Sequence, residues 1–218
     1  MFVREVDAMV RLRSEHTVKI FGSITSTPGR LILVMELMEG GDLREFLAKD
    51  VTPLETPVAL ALVQDVAKGL DFLHSNGVVH GDIKSPNILL TSGHRAKISD
   101  LGSAQMTEEM TTLVADGANG AISSTTLKWA APEVLNDEQI NFMSDIYSFG
   151  IVVWEVITRQ LPWAETTAKE LIVRVCTGKR PPVPESATLT LRSVMEKCWV
   201  DLPDARPSSG EILCLLDV

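Results

Sequence analysis

Three polar side chains of different chemistry, Asp82, Lys84 and Asn87, lie within six residues between two apolar runs. A loop that only connects core elements does not need a carboxylate, an amine and an amide together. A plainer interpretation is a polar turn between short buried strands at 78–79 and 88–90, because Asp, Asn, Ser and Pro are ordinary turn residues. The stretch that follows argues against the plain turn.

A second acidic side chain, Asp100, lies in an alternating run that begins at Ala96, and the turn-forming Ser92 and Gly93 separate this run from the preceding strand. A hairpin of this kind would bring Asp100 back beside Asn87. A carboxylate and an amide oxygen are hard ligands of the kind that Mg²⁺ prefers. The spacing therefore indicates a magnesium site at one end of a hairpin.

Residues 80–87, HGDIKSPN, resemble the catalytic loop His-Arg-Asp-Leu-x-x-x-x-Asn of the protein kinases. Asp-Leu-Gly at 100–102 resembles the family's Asp-Phe-Gly, and Ala-Pro-Glu at 131–133 stands where its activation segment closes. Three motifs in family order identify the chain as a member of the protein kinases, and the resemblance covers essentially the whole chain. It implies an α+β, protein-kinase-like fold with a mostly helical large lobe and an incomplete, β-containing small lobe.

The resemblance divides the chain into a partial small lobe at 1–36, a hinge at 37–41 and a large helical lobe at 42–218. Apolar residues at helical spacing within 2–13 predict that the chain begins inside an amphipathic helix. Glu5 matches the small-lobe glutamate that pairs with a strand lysine in the family. This lysine and the glycine-rich loop over the phosphates are absent from the sequence, so Glu5 is expected to be a solvated helix charge.

Periodicity and turn residues predict the elements around these motifs. Strands are expected at 18–24 and 31–36, joined by the turn Ser-Thr-Pro-Gly. The clearest helix has Thr56 as its cap and Pro57 as its first residue, and it ends near 76–77. The resemblance makes it the long central helix of the large lobe, whose end leads into the catalytic loop.

The resemblance also implies a nucleotide site at the hinge, with ATP as the cofactor. Met35 would be the gatekeeper, the backbones of Glu36 and Met38 would face the adenine, and Leu89 would form its floor. Asp42 has two interpretations, because it stands where a helix cap is expected and could also reach the ribose. The capping role is favoured.

Chemical roles for the polar residues follow from the same resemblance. Asp82 would accept the proton of the substrate hydroxyl, Lys84 would steady the transferred phosphate, and Thr126 would brace Asp82. Asn87 and Asp100 would hold Mg²⁺ against the ATP phosphates. Phosphoryl transfer asks a protein mainly for positioning and charge neutralisation, which is what this set would supply.

Two more motifs belong to the large lobe. Asp145 opens Asp-Ile-Tyr-Ser-Phe-Gly, where the family's aspartate holds the catalytic-loop backbone; the plainer alternative is that it caps its own helix. Residues 198–207 resemble the Cys-Trp-x-x-x-Pro-x-x-Arg-Pro pattern of tyrosine and tyrosine-kinase-like kinases, and Lys84 favours the serine/threonine-specific branch. The family pattern also predicts a buried ion pair between Glu133 and Arg206.

The composition suits one globular domain, with 45% hydrophobic and 22% charged residues among 218. A formal charge of -9 argues against a nucleic-acid partner or an anionic membrane surface. The most apolar run, 146–157, is too short for membrane insertion and contains Glu155, so a buried helix is expected. Cys176, Cys198 and Cys214 form no paired motif, which predicts buried thiols in a reduced, cytoplasmic setting.

Gly81 replaces the arginine that precedes the catalytic aspartate in the family. In the common pattern that arginine receives the phosphate of a modified activation loop. Residues 103–126 are polar and weakly periodic, which is typical of a mobile loop. Because the receiver is missing, phosphorylation of this segment is not expected to order the loop by that route.

Two functional hypotheses remain open. The first is a serine/threonine protein kinase of the tyrosine-kinase-like group, acting on protein substrates, of which this chain is a fragment. The second is a kinase-like scaffold or binding module without transfer activity, which the absent lysine and glycine-rich loop favour. Either leaves room for a regulatory domain or partner outside this chain. Nucleotide is expected to bind weakly, and the partial small lobe is expected to be loosely held and prone to association.

Overall fold

The computed structural model describes residues 13–27, 30–101, 104–106, 126–185 and 187–218. Within these ranges the strands are short and pair antiparallel: β1 (Ile20–Thr27), β2 (Arg30–Met35), β3 (Gly41–Asp42), β4 (Val78–Val79), β5 (Ile88–Leu90), β6 (Ala96–Ile98) and β7 (Gln105–Met106). The α-helices lie mostly in the second half of the chain: α1 (Leu43–Ala48), α2 (Thr56–Ser75), α3 (Pro132–Leu135), α4 (Phe142–Thr158), α5 (Ala168–Cys176), α6 (Leu189–Cys198) and α7 (Ser209–Leu215). The predicted α+β class is confirmed.

Helix α2 packs against β6, α4 and α7. Val66 and Leu70, one helical turn apart, are both buried on its inner face. The helix begins at Thr56, one residue before the predicted Pro57. Thr56 is therefore not its cap, because Glu55 holds the cap position and its carbonyl accepts the first helical bond from Ala59 N. The predicted end at the Asn-Gly pair is confirmed.

Helix α4 is buried over most of its length and packs against α2 and α6. It begins with a reciprocal cap, in which Asn141 Oδ1 accepts from Ser144 N at 3.1 Å and Ser144 Oγ accepts from Asn141 N at 3.0 Å. A Cβ added at Gly150 would come within 2.9 Å of Cys198 Cβ, so glycine permits the close approach to α6. The buried helix predicted at 146–157 is confirmed. Within the described ranges, none of the helices combines the length and apolar character needed to cross a bilayer.

The strands form three small sheets: β1 with β2, β3 with β5 and β6 in that order, and β4 with β7. The strands predicted at 18–24 and 31–36 are confirmed with shifted ends. The turn tip at 28–29 lies outside the described residues, and so does the helix predicted at 2–13 with Glu5.

Main-chain bonds join the segment before β1 to the rest of the molecule. Ile98 N donates to His16 O at 2.9 Å, and Val18 N donates to Ile98 O at 2.8 Å. A Cβ added at Gly69 of α2 would come within 2.7 Å of His16 O, so a glycine is needed for this contact. Several apolar side chains of the β1–β2 hairpin are exposed, among them Phe21 at 56%. That the partial small lobe is loosely held and prone to association stays a prediction.

The cysteines differ in burial. Cys198 is buried, whereas Cys176 and Cys214 are exposed, so the prediction of three buried thiols is wrong for two of them. Cys176 ends helix α5, whose inward positions are taken by Leu171 and Val175. An apolar neighbourhood in sequence does not determine which face of a helix a residue occupies.

Candidate active site

The loop between β4 and β5, residues 80–87, is called the catalytic loop below. Asp145 of α4 holds its first turn, because Oδ2 accepts from His80 N at 2.7 Å and Oδ1 accepts from Gly81 N at 2.8 Å. Helix α4 is capped by Asn141, so the alternative that Asp145 caps its own helix is wrong. The carboxylate instead satisfies two backbone donors that the loop leaves unpaired.

Gly81 has φ +75°, a conformation that glycine adopts without steric cost. It therefore turns the chain between the two contacts of Asp145 and the polar residues that follow. The consequence predicted for loop phosphorylation concerns residues 107–125, which lie outside the described residues.

Asp82 lies at the centre of a hydrogen-bonded group that is called the catalytic cluster below. Its Oδ2 is 2.7 Å from Lys84 Nζ and accepts from Asn87 Nδ2 at 2.9 Å. Its Oδ1 accepts from Thr126 Oγ1 at 3.0 Å, and Lys84 Nζ donates to the same hydroxyl oxygen at 3.0 Å. The structure thus brings together four of the predicted site residues, although Thr126 is 44 positions from Asp82. Their chemical roles stay predictions.

The catalytic cluster is shielded from most solvent. The side chains of Lys84 and Asp82 are only 13% and 14% exposed. Charge-assisted hydrogen bonds are stronger than neutral ones, and a lower local dielectric strengthens them further. Three donors on one carboxylate therefore fix the orientation of Asp82 rather than merely neutralise it.

The β5–β6 hairpin brings the two predicted metal ligands to the same end. Ile88 pairs with Ile98, and both Ser99 N and Ser99 Oγ donate to Asn87 O at 2.8 Å. Asp100 follows directly, is exposed and has φ +58°. A positive φ is uncommon outside glycine, and such outliers cluster at functional sites. The predicted hairpin is confirmed, while metal binding by Asn87 and Asp100 stays a prediction.

Glu36, directly before the predicted hinge, binds strand β6 through Lys97. Its two carboxylate oxygens accept from Lys97 Nζ at 2.8 and 2.9 Å, and Oε1 also accepts from Lys19 N at 2.7 Å. Burial acts to raise the pKa of this carboxyl, but the bonds and charges of Lys97 and Lys19 outweigh it and hold the pKa below its usual value. Glu36 N donates to Lys19 O at 2.9 Å, which leaves the carbonyl as the backbone group to face a ligand. Met35, at the end of β2, is 42% exposed, and its role as gatekeeper stays a prediction.

The other predicted nucleotide contacts lie around the start of α1. Asp42 Oδ1 accepts from Glu45 N at 2.8 Å, so the predicted cap is confirmed. Leu89 is half-buried and pairs with Asp42 between β3 and β5. Met38 O accepts from Gly41 N at 3.2 Å. The nucleotide contacts of Met38, Asp42 and Leu89 stay predictions.

The predicted ion pair between Glu133 and Arg206 is confirmed. Arg206 donates to both carboxylate oxygens, at 2.6 and 2.8 Å, and both residues are buried. Its guanidinium also donates to the carbonyls of Val200, Asp201 and Met143. The pair therefore fixes α3 to the carboxyl-terminal part of the chain.

The sequence interpretation missed the partners of Glu155, which is fully buried in α4. Ser85, Trp129 and Arg44 all donate to its carboxylate. A glutamate inside an apolar helix is a usable signal, because Glu is almost never fully buried unless it is paired. The signal identifies the residue but not its partners.

A polar cleft of about 220 Å³ lies beside α2 and β6 and shares no residue with the catalytic cluster. Asp65 and Arg95 are paired with each other in it, with Nε and Oδ2 at 2.7 Å. Because these charges already satisfy one another, no ligand is assigned to this cleft.

Comparison with known proteins gives this fold and site a family. The family described as protein tyrosine and serine/threonine kinase matches residues 1–216. The chain therefore belongs to the protein kinases, as the three motifs predicted.

The Arabidopsis relatives are of the tyrosine-kinase-like serine/threonine type. The chain is 36% identical over 222 residues to the serine/threonine-protein kinase CTR1 of Arabidopsis thaliana, covering 99% of the chain and 26% of CTR1. It is 32% identical to the serine/threonine-protein kinase STY17 of the same plant, with coverage of 99% and 37%. It is 36% identical to the dual specificity protein kinase shkC of Dictyostelium discoideum, with coverage of 99% and 42%. The chain spans less than half the length of each of these relatives.

Proposed function

We propose that the chain is the catalytic domain of a serine/threonine protein kinase, which transfers the γ-phosphate of ATP to Ser or Thr hydroxyls of protein substrates. The observation that carries the proposal is the catalytic cluster, in which Asp82 contacts Lys84, Asn87 and Thr126. A structural turn needs no such convergence of an amine, an amide and a hydroxyl on one carboxylate.

Each member of the cluster has a distinct task in this proposal. Asp82 accepts the proton of the substrate hydroxyl, and its orientation is fixed in advance by its three donors. Lys84 supplies a positive charge next to the oxygen that gains the phosphoryl group. Thr126 bridges Asp82 and Lys84 and thereby keeps base and cation at a constant separation. Positioning and charge neutralisation are the main requirements of phosphoryl transfer.

Asn87 and Asp100 would hold Mg²⁺, which would supply positive charge to neutralise the phosphates of the nucleotide. The donor set fits this ion. Asn87 Nδ2 donates to Asp82 O at 2.8 Å and to Asp82 Oδ2 at 2.9 Å, so the amide oxygen is the atom offered to a cation. Amide and carboxylate oxygens are ligands of the type that Mg²⁺ requires.

The nucleotide would lie between the hinge and β5. Met35, Glu36 and Met38 would contact the adenine from the hinge, and Leu89 would lie under it. Asp42 would contribute to ribose binding only with the carboxylate oxygen that does not cap α1. Since no glycine-rich loop occurs in these 218 residues, we expect the chain to bind ATP weakly.

A binding module without transfer activity is the second candidate. It is favoured by the absence of a glycine-rich loop and a strand lysine from the sequence given. The intact catalytic cluster favours the kinase, because a scaffold has no use for an oriented base.

Phosphoryl transfer by the purified 218-residue chain tests the proposal. With Mg²⁺ and excess ATP, we expect transfer to a generic Ser/Thr protein substrate, and we expect Asp82→Asn to reduce it by about 10³-fold or more. Asp204→Asn, at an exposed position, is the matched control and should leave transfer unchanged. No transfer at saturating ATP would favour the binding module, and equal transfer by the Asp82→Asn chain would contradict the role of Asp82 as the base.

We further infer a cytoplasmic setting, with protein substrates and ATP as partners and without nucleic-acid binding or membrane insertion. The free thiols of the three cysteines and the formal charge of -9 support this inference. A regulatory domain or partner outside the chain is supported by the greater length of the relatives.

A further inference from the structure

Glu155 binds three elements of the molecule with one carboxylate. Oε1 accepts from Ser85 Oγ at 2.7 Å and from an Arg44 guanidinium nitrogen at 3.3 Å. Oε2 accepts from Trp129 Nε1 at 2.7 Å. The residue is 0% exposed, so each of these bonds is made without competition from bulk water.

Two of the three bonds lead directly to the catalytic cluster. Ser85 follows Lys84 in the catalytic loop. Trp129 ends a short 3₁₀ turn that starts after Thr126, and Trp129 N donates to Thr126 O at 3.0 Å. Ser148 of α4 donates to Trp129 O at 2.8 Å, which fastens the same turn a second time.

We infer that Glu155 is a positioning residue for phosphoryl transfer, whose carboxylate holds the segment carrying Thr126 in place against the catalytic loop. The inference rests on the proposed function. Glu155 touches no reacting group itself. It acts through Ser85 and Trp129 on the distance between Thr126 and Asp82.

The number of donors explains why a carboxylate is needed. Three donors share two oxygens, and glutamine offers only one. In Glu155→Gln the single oxygen would stay with Arg44 and Ser85, because one of these carries a full charge. The amide nitrogen would then face Trp129 Nε1, and two donors cannot bond to each other. The substitution keeps the volume and loosens mainly the Trp129 side.

A purely structural role is the competing explanation. Buried charge pairs are weak evidence for stability, because the cost of desolvation can exceed the gain from pairing. A structural role would predict equal damage to nucleotide binding and to turnover. A positioning role predicts a loss in kcat alone, because Glu155→Gln keeps the bond to Arg44 of α1, the helix that follows the hinge.

Kinetics on the 218-residue chain test the inference. We expect Glu155→Gln to lower kcat by about 10- to 100-fold, because misplacing a reacting group by about 1 Å has that effect. The KM for ATP should stay within about twofold of its wild-type value. Trp129→Phe removes the same bond and should reproduce the loss, and the double variant should lose no more than the larger single loss. Glu196→Gln, whose side chain is 48% exposed, is the matched control without effect.

Amide hydrogen exchange gives a readout that does not need activity. Exchange at residues 126–131 should rise in Glu155→Gln and in Trp129→Phe but not in Glu196→Gln. Unchanged exchange there, or a kcat equal to that of the wild type, would overturn the inference. A wild-type chain that transfers no phosphate contradicts the proposed function. In that case the exchange data test only whether Glu155 holds the segment at residues 126–131 through Trp129. If Glu155→Gln does not fold, Trp129→Phe carries the test, because it leaves the carboxylate paired with Ser85 and Arg44.

Discussion

Glu133 and Glu155 are both buried carboxylates of the helical part, and they are bound in different ways. Glu133 meets a single cation, Arg206, through two bonds, and the other donors of Arg206 end on backbone carbonyls. Glu155 divides its two oxygens among a hydroxyl, an indole and a guanidinium. The first is a closed pair within the scaffold. The second is a junction at which the catalytic loop and the segment carrying Thr126 meet.

The difference lies in where the partners come from. Both residues are buried glutamates, so neither burial nor residue type distinguishes a structural group from one that shapes a site. Removing one side of the closed pair leaves an uncompensated charge, whose cost appears in the free energy of unfolding. Changing the junction alters the relative placement of segments that each remain folded. The two carboxylates should therefore respond differently to matched substitutions.

The largest effect on stability is expected at the closed pair. Arg206→Met leaves Glu133 buried without its cation, and we expect a loss of roughly 3 to 5 kcal/mol in the free energy of unfolding. Urea denaturation measures it. The control is Arg192→Met, which breaks a partly exposed pair with Glu196 on α6 and should cost less than about 0.5 kcal/mol. Equal losses of unfolding free energy in the two variants would show that the buried pair contributes no more to stability than the partly exposed pair.

A smaller effect, with a characteristic pH dependence, is expected at the junction. Burial raises the pKa of Glu155 to about 7, although the bonds from Trp129 and Ser85 and the charge of Arg44 act against it. Because the pKa in the folded state lies above the ordinary value of 4.5, the folded chain binds an extra proton between these values. The stabilisation is complete below pH 4.5 and is lost as the pH rises through about 7.

One pKa unit corresponds to about 1.4 kcal/mol, so the loss on the alkaline side is roughly 3 kcal/mol. Glu155→Gln cannot titrate and should lack this dependence. Denaturation of both chains across the pH range measures the difference between them. A difference that stays constant with pH would show that folding does not shift the pKa of Glu155.

The smallest effect concerns Tyr147, whose ring lies close to two guanidinium groups. The guanidinium carbons (Cζ) of Arg180 and Arg206 lie 5.0 and 5.2 Å from the centroid of the Tyr147 ring. The hydroxyl is buried and has no hydrogen-bond partner within the part of the chain that the structure describes. Tyr147→Phe should leave the free energy of unfolding unchanged or raise it by up to about 1 kcal/mol. A clear destabilisation in calorimetry would mean that the hydroxyl, and not only the ring, supports Arg206.

Much of the helical part was predictable because its signals are local. The buried face of α2 repeats every turn, and the apolar run of α4 is long enough to settle its burial. Thr56 was misplaced by one position because Thr is a preferred capping residue, whereas the structure has Glu55 at the cap without a side-chain cap bond. Cys176 and Cys214 were misjudged because composition alone does not give the facing of a helix.

The site was predictable where residues belong to motifs and not elsewhere. Asp82, Lys84 and Asn87 lie within one short stretch, and the motifs at Glu133 and Arg206 predicted a contact across 73 positions. The partners of Glu155 belong to no motif that predicts the contact. The contact with Arg44 spans 111 positions and does not match the spacing of a helix or a strand. Long-range contacts outside motifs depend on how the helices pack, and local patterns do not record this.

Strand β6 has hydrogen-bonded neighbours along both edges. It pairs with β5 on one edge, and on the other Thr17 bridges Ile98 in a parallel arrangement. Strand β6 therefore connects the segment before β1 mechanically to strand β5. Two main-chain bonds connect the segment that leads into the β1–β2 hairpin to Ile98, and two residues of backbone connect Ile98 to Asp100. A displacement on the hinge side of the molecule and a displacement at Asp100 therefore both act on strand β6.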